Sequence, residues 1–202
     1  CIRKCSFCAV WRIEPEYQEY LPLRERIDRT RKLYGEQQNL LLMDNNVLAS
    51  NRLEDIIEDI KSCGFTKGAK YFEPNWYTIA IRNLRLGINN RAYIRKSFKL
   101  LQELNTFKSF NENTRTEIYA LREKHGLLHL ETCTREALIA TYKDFAPYFD
   151  VKFKKRLGRL RFVDFNQGVD ARLFNRRIVK LLAEIPVRPL RIAFDNIKTE
   201  PE

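Results

Sequence analysis

The feature of this 202-residue sequence that most constrains its fold is a series of short, mostly apolar runs separated by amphipathic segments. The runs span residues 39–43, 161–165 and 190–194. Each is typical of a strand buried in a parallel sheet, where side chains on both faces are covered. Because helical patterns stand between the runs, the sequence predicts β-α-β units and an α/β fold.

Helices are predicted on both sides of the first run and after the second. Residues 21–34 carry Pro22 in the expected first turn, and Gly35 follows the last turn. A second helix is expected from Asn51, with Glu54 in the capping-box position and Gly64 at its end. A third is expected over residues 174–184, so helices alternate with the apolar runs.

A largely helical insertion is predicted between the first and second runs. Four amphipathic segments lie between residues 65 and 159, namely 79–86, 93–104, 114–124 and 134–149. Aromatic residues recur there at helical spacing, which is typical of a core, although lining a channel or stacking on bases is the alternative. These aromatic residues are Trp76, Tyr77, Tyr93, Phe98, Phe107 and Phe110. We expect one incomplete domain over 1–202, divided into 1–64, the insertion 65–159, and 160–202.

Polar residues follow each of the three runs. They are Asp44, Asn45, Asn46, Asn166, Gln167, Asp170, Arg172 and Asp195. Ligand sites of α/β sheets and barrels collect at the carboxyl ends of the strands, so we expect these side chains at one mouth. The alternative is structural: Asp170 and Arg172 as an ion pair that orients a strand end, and Asn166 and Gln167 as partners of loop backbone groups.

Three cysteines crowd the first eight residues. Cys1, Cys5 and Cys8 form a C-x3-C-x2-C triad, a spacing too tight for a disulfide framework. Thiolates are the usual ligands of iron-sulfur clusters, and three of them leave one iron of a [4Fe-4S] cubane open. A zinc knuckle without its fourth ligand and three unrelated thiols are the alternatives, but nothing that suits zinc follows closely.

The segment Cys1-Ile2-Arg3-Lys4-Cys5-Ser6-Phe7-Cys8 resembles the signature of the radical S-adenosylmethionine (radical SAM) superfamily, including the aromatic residue before the third cysteine. The resemblance implies a [4Fe-4S] cluster whose open iron is chelated by S-adenosylmethionine. An electron from the cluster, delivered by a donor such as ferredoxin or flavodoxin, would cleave that cofactor to methionine and a 5′-deoxyadenosyl radical. The radical would abstract hydrogen from an unknown substrate.

The same resemblance implies a partial (β/α) barrel with parallel strands, interrupted here by the helical insertion. Asp44, Asn45 and Asn46 occupy the place of the motif that meets the amino group of S-adenosylmethionine, without its common glycines. The Phe7 backbone would lie near the adenine, and Asp195 near the ribose or substrate. Asn166, Gln167, Asp170 and Arg172 would face the substrate as the catalytic residues.

The resemblance also concerns what lies beyond the printed chain. Residues 164–172 resemble a segment of uncharacterised radical SAM proteins, some described as B12-binding-like. Cys1 rather than Met begins the chain, so we expect it to start inside a longer product that supplies the first barrel strand. A cobalamin-binding domain ahead of Cys1 is the additional cofactor site that this resemblance would imply.

We assign no functional role to the other two cysteines or to the two histidines. Cys63 and Cys133 are interpreted as small semi-buried residues. His125 and His129 have the four-residue spacing of a helical metal site, but Gly126 between them weakens such a helix, so chance is the better explanation.

The net charge of +11 allows a different function. A basic RNA-binding or RNA-modifying module with a structural metal site is the alternative, and nucleic acid is then the partner. The basic stretch 152–161 is interpreted as a linker rather than a phosphate site. Apolar runs far shorter than the roughly 20 residues of a membrane span predict no membrane insertion. The reduced cysteines favour the cytoplasm.

Overall fold

The computed structural model describes residues 9–13, 16, 19–43, 46–154 and 157–193. The helices are α1 (Val10–Ile13), α2 (Leu23–Tyr34), α3 (Leu53–Ser62), α4 (Trp76–Arg85), α5 (Asn90–Asn105), α6 (Glu112–Lys124), α7 (Arg135–Ala140), α8 (Tyr142–Lys154) and α9 (Arg176–Leu182). The strands are β1 (Leu40–Leu42), β2 (Lys70–Tyr71), β3 (Arg159–Leu160), β4 (Val163–Phe165), β5 (Val169–Asp170) and β6 (Ile192–Ala193). The protein is therefore mixed α/β.

The chain divides into two compact units. The first comprises the described parts of 1–31, 37–71 and 158–202, and the second comprises 32–36 and 72–157. The chain passes out of the first unit after Tyr71 and re-enters it at Gly158. Strands β2 and β3 stand at these two points and pair antiparallel, with Tyr71 opposite Arg159. This ribbon was not expected from the sequence, because two-residue strands carry no periodicity.

Parallel pairing dominates the first unit, as the apolar runs predicted. Strand β1 pairs parallel with β4, and Leu42 lies opposite Phe165. Strand β5 pairs parallel with β6, and a parallel bridge joins Val163 to Val187. The stretch 163–170 thus has β1 on one side and the chain from 187 on the other. The described strands do not close into a barrel.

The strands are shorter than predicted, and one was missed. No strand was predicted in the polar stretch after β4, yet Val169 and Asp170 form β5. Gly168 explains the interruption between the two strands, because it has φ of +83° and its backbone closely approaches that of Arg191. The chain turns there, and Val169 then donates its N–H to the Arg191 carbonyl oxygen at 2.9 Å.

Helices cover one face of the parallel strands. The predicted apolar stripe of α3 is buried, and it packs with Ile178 and Leu182 of α9 against strand residues such as Phe165. Because strand side chains alternate between faces, Leu41 of β1 points away from this core and is 52% exposed. The stripe consists of Leu53, Ile56, Ile57 and Ile60. In the described part of the first unit, helices α3 and α9 therefore cover the face of β1 and β4 that is opposite Leu41.

The second unit is helical and has its own core. Helices α4–α8 bury large apolar side chains, among which the rings of Tyr77 and Phe149 stack with centroids 4.1 Å apart. The aromatic residues highlighted in the sequence all belong to this cluster, Tyr77 and Phe110 fully and the others in part. Their interpretation as core residues is confirmed. No helix in the described part of the chain is long and apolar enough to cross a bilayer.

Candidate functional site at the strand ends

Seven of the predicted site residues lie outside the described residues. They are the three cysteines Cys1, Cys5 and Cys8, together with Phe7, Asp44, Asn45 and Asp195. The geometry of the remaining five, Asn46, Asn166, Gln167, Asp170 and Arg172, follows from the strands that precede them.

The carboxyl ends of β1 and β4 lie side by side. Leu42 pairs with Phe165 in register, and the N–H of Asn166 donates to the Leu42 carbonyl oxygen at 3.3 Å. The chain after β1 runs through Asn46 into a 3-10 turn, Val47–Ala49, which contacts β5. The backbone around Asn46 and the residues of 166–170 therefore belong to one end of the sheet.

Asp170 and Arg172 form an ion pair at this end. Asp170 is 6% exposed, and its carboxylate accepts hydrogen bonds from Arg172 Nε at 2.8 Å and from Arg172 Nη2 at 3.3 Å. Its Oδ1 also accepts from the Arg172 backbone N–H at 3.1 Å, which caps the 3-10 turn Ala171–Leu173. A carboxylate engaged on both oxygens suits positioning of the strand end better than proton transfer.

The polar turn between β4 and β5 offers two different amides. Asn166 is partly buried beside the end of β1, whereas Gln167 is exposed. Amide side chains both donate and accept hydrogen bonds, so a ligand with amino, carboxylate or hydroxyl groups could be held by Asn166. Gln167 faces solvent, and the described contacts do not join it to the Asp170–Arg172 pair.

Arg161 is a structural residue that the sequence did not single out from its basic stretch. It is 7% exposed, and its guanidinium donates to the carbonyl oxygens of Gln37 (2.7 Å), Gln38 (3.4 Å) and Gly64 (3.4 Å). It also lies over the Phe65 ring at 4.1 Å. Arg161 precedes β4, at the opposite end of the strand from Asn166, where side chains of α/β folds support stability.

Two further charges of the basic stretch have partners within their own unit. Lys152 pairs with Glu103 at 2.7 Å, and the Arg159 guanidinium lies over the Tyr71 ring at 5.3 Å. Lys152 and Glu103 both belong to the second unit, and Arg159 and Tyr71 both belong to the first. Neither contact indicates a phosphate site, and Lys155 and Arg156 lie outside the described residues.

The remaining cysteines and histidines do not gather. Cys63 and Cys133 are both buried, and burial raises the pKa of the Cys133 thiol to about 11. Helix α6 ends at Lys124 and Gly126 adopts φ of +67°, so His125 and His129 do not share a helix. Among the described residues no group of three or more His, Cys, Asp or Glu side chains is placed to hold a metal ion.

Comparison with known proteins adds no relative. No protein-family model matches the chain, and neither a curated protein nor a solved structure is significantly similar to it.

Proposed function

We propose that this chain is part of a radical SAM enzyme, built on a partial (β/α) barrel. The observation that carries the proposal is the C-x3-C-x2-C triad of Cys1, Cys5 and Cys8 with Phe7 before the third cysteine. Parallel strands with helices on one face support the barrel part of the proposal, since that is the layering of a barrel wall.

The donor set suits the proposed cofactors. Three thiolates from Cys1, Cys5 and Cys8 would hold three irons of a [4Fe-4S] cluster and leave the fourth iron for S-adenosylmethionine. When bound, the cluster supplies the electron that cleaves S-adenosylmethionine to methionine and a 5′-deoxyadenosyl radical for hydrogen abstraction from the substrate.

The chain's own residues bind, orient and exclude water. Asp44, Asn45 and Asn46 follow β1 and would hold the amino group of S-adenosylmethionine. Asn166 follows β4 at the same end of the sheet, next to the Leu42 carbonyl, and would contact substrate. The Asp170–Arg172 pair holds the next strand end in position. Leu41, on the uncovered face of β1, would line the barrel interior and help keep water from the radical.

The test uses the full-length product that contains this chain. Anaerobic reconstitution with iron and sulfide, followed by dithionite and S-adenosylmethionine, should yield 5′-deoxyadenosine. Cys5→Ala should abolish the product, whereas Cys63→Ala, which removes a buried cysteine outside the triad, should retain it. Equal product from the wild type and Cys5→Ala would refute the proposal, as would anaerobically purified protein that holds zinc without iron or sulfide.

A basic RNA-binding or RNA-modifying module is the second candidate. Between Glu73 and Glu103 the sequence holds six basic residues and no acidic one: Arg82, Arg85, Arg91, Arg95, Lys96 and Lys99. All six are exposed. None of them forms an ion pair with a carboxylate in the described part of the chain, so their charge is available to a polyanion.

Charge reversal tests the RNA candidate. The double substitution Arg91→Glu with Arg95→Glu on α5 should weaken tRNA binding by about tenfold or more and flatten its salt dependence. The matched control, Arg176→Glu with Lys180→Glu, reverses two exposed charges on α9. Equal losses in both double variants would indicate attraction by net charge alone and exclude an α4–α5 interface. The measurement is filter binding at several salt concentrations.

A further inference from the structure

The helical unit contains an open pocket that the proposed function does not use. Its volume is about 370 Å3, within the range of small-molecule sites. The last turn of α5, helix α6 and the loop after α6 form its walls. The lining residues are Gln102, Asn105, Thr106, Tyr119, Arg122, Leu128 and His129.

Arg122 is the buried charge of this pocket. The residue is 4% exposed, and its Nε and Nη2 donate to the Leu127 carbonyl oxygen at 3.3 and 3.1 Å. Its guanidinium carbon lies 5.9 Å from the centre of the Phe98 ring. A guanidinium has five N–H groups, so these bonds leave several donors, including both on Nη1, without a hydrogen bond in the described part of the chain.

The Arg122 charge lacks a carboxylate partner among the described residues. Burial lowers the pKa of Arg122, and the side chains that counteract this effect are the Cys133 thiol and the Tyr119 phenol. Buried cations are ordinarily paired with an anion, because desolvation is costly without one. An anion in the pocket would be the missing partner.

The backbone around the pocket is held in place. Leu127 donates its N–H to the Arg122 carbonyl oxygen at 2.8 Å, and Gly126 donates to Glu123 at 3.1 Å. With Gly126 at positive φ, these bonds form a Schellman motif, which fixes the loop that carries Leu128 and His129. Thr132 Oγ1 donates to the Gly126 carbonyl oxygen at 2.7 Å and holds the loop from its other end.

A second observation shows that the pocket wall is incomplete by itself. Asn105 Oδ1 is buried and has no hydrogen-bond partner. Buried polar atoms are nearly always satisfied, and this oxygen is an acceptor, so it needs a donor such as a ligand hydroxyl or a water molecule. A small molecule that carries a hydroxyl group beside an anionic group would satisfy both Asn105 Oδ1 and Arg122.

We propose that this pocket binds the oxyanion group, phosphate or carboxylate, of a small molecule, with Arg122 as its counter-charge. Guanidinium donors match the oxygen atoms of both groups. The amide of Gln102 supplies a further donor on the wall, whereas the Thr106 hydroxyl donates to the Glu103 carbonyl oxygen at 3.3 Å. The pocket lies wholly within residues of the second unit, so the proposal does not depend on the radical SAM assignment.

Direct binding to the full chain tests the proposal. Inorganic phosphate is followed by the broadening of its 31P NMR line, and acetate by saturation transfer to its methyl protons, with ionic strength held constant by sodium chloride. Binding of either probe to the wild type supports the site, and the probe that binds more tightly identifies the group. The proposal is overturned if neither probe binds, or if chloride displaces both probes at equal ionic strength.

Three substitutions that each lower the net charge by one localise the binding. Arg122→Gln and Gln102→Glu should weaken the bound probe by about tenfold or more, because one removes the counter-charge and the other adds a carboxylate to the wall. Arg91→Gln, an exposed residue about 16 Å along α5 from Gln102, should bind like the wild type.

The folding of Arg122→Gln is checked by circular dichroism. If that variant does not fold, Gln102→Glu decides, since Gln102 is exposed and its replacement leaves the core intact. Unchanged binding in Gln102→Glu, or an equal loss in Arg91→Gln, overturns the proposal.

Discussion

Tyr20 links the loop before α2 to helix α3 through one carboxylate. Its hydroxyl donates to Asp59 Oδ2 at 2.6 Å, and the Leu23 N–H donates to the same carboxylate oxygen at 3.2 Å. Burial, followed by the hydrogen bond to Asp59, raises the pKa of Tyr20 to about 12. The folded state therefore favours the neutral phenol.

Tyr20→Phe should lower the free energy of unfolding by about 1–2 kcal/mol at pH 8, because it removes a hydrogen bond to a charged acceptor. A raised pKa means that this contribution is complete below pH 10 and is lost as the pH rises toward 12. The difference between wild type and variant should therefore shrink over that interval. Urea unfolding at pH 8, 10 and 11 measures it.

The exposed Tyr119 is the control for this pH dependence. Tyr119 is 49% exposed on α6, so Tyr119→Phe should change stability little at pH 8. If the loss of unfolding free energy in Tyr20→Phe stays constant from pH 8 to pH 11, the assigned role of the phenol is contradicted.

At the scale of single elements, Gly64 ends α3 where the sequence placed the end of that helix. Gly64 has φ of +83° after α3, and the Phe65 N–H donates back to the Ile60 carbonyl oxygen at 3.2 Å. Gly126 repeats the arrangement after α6. Both glycines are visible in the sequence because a left-handed residue after a helix favours glycine strongly.

Gly126→Ala should lower the free energy of unfolding by about 1 kcal/mol. A Cβ at this position would meet no atom within 4 Å, so the cost is backbone strain at φ of +67° alone. Gly126→Asn should cost less, because asparagine tolerates the left-handed region better than alanine. Chemical denaturation of both variants measures this ranking, and an alanine variant as stable as wild type would contradict it.

The start of α3 was placed one residue too early by the sequence. Asn51 and Glu54 predicted a capping box, but Arg52 is the N-cap residue and makes no side-chain cap bond. The Arg52 side chain instead bonds Asp55, while Ser50 Oγ accepts the Arg52 N–H at 3.1 Å. Asn51 with Glu54 and Ser50 with Arg52 and Asp55 are alternative sets of capping residues for the same helix start. Residue preferences at helix ends alone do not distinguish between the two sets.

At the scale of the whole molecule, two cores are built from separate residues. Ile57 belongs to the core of the first unit and is 1% exposed, whereas Ile81 belongs to that of the second and is 0% exposed. Each isoleucine lies within a cluster of large apolar side chains, so removal of one methyl group leaves a comparable defect in either core.

Ile57→Val and Ile81→Val should each lower the free energy of unfolding by about 0.5–1.5 kcal/mol. Their effects should add in the double variant to within about 0.5 kcal/mol, since they share no packing partners. The control is Ile57→Val with Ile60→Val, both on α3 in one core, where coupling is expected. Urea unfolding measures these four variants and the single variant Ile60→Val, and strong coupling between Ile57 and Ile81 would contradict the assignment of the two residues to separate cores.

The sequence by itself determined the α/β class, the parallel strands and most of the helices. The reason is local: apolar stripes, short buried runs and glycines at helix ends lie within a few neighbouring residues. It also supplied the cysteine triad and the polar residues after the strands. The chemistry proposed for these residues depends on the spacing of the three cysteines, which is a property of the sequence alone.

Tertiary structure alone decided the pairing of β2 with β3 and the division of 163–170 into two strands. It also decided which groups surround each buried charge. Arg161 is stabilised by the carbonyl of Gln37, which lies 124 positions away in the chain. Arg122 lies in a pocket without a carboxylate among the described residues, although its helix reads as an ordinary amphipathic segment. A charge becomes structural or ligand-binding through the groups that surround it after folding, and long-range contacts of that kind leave no pattern in neighbouring residues.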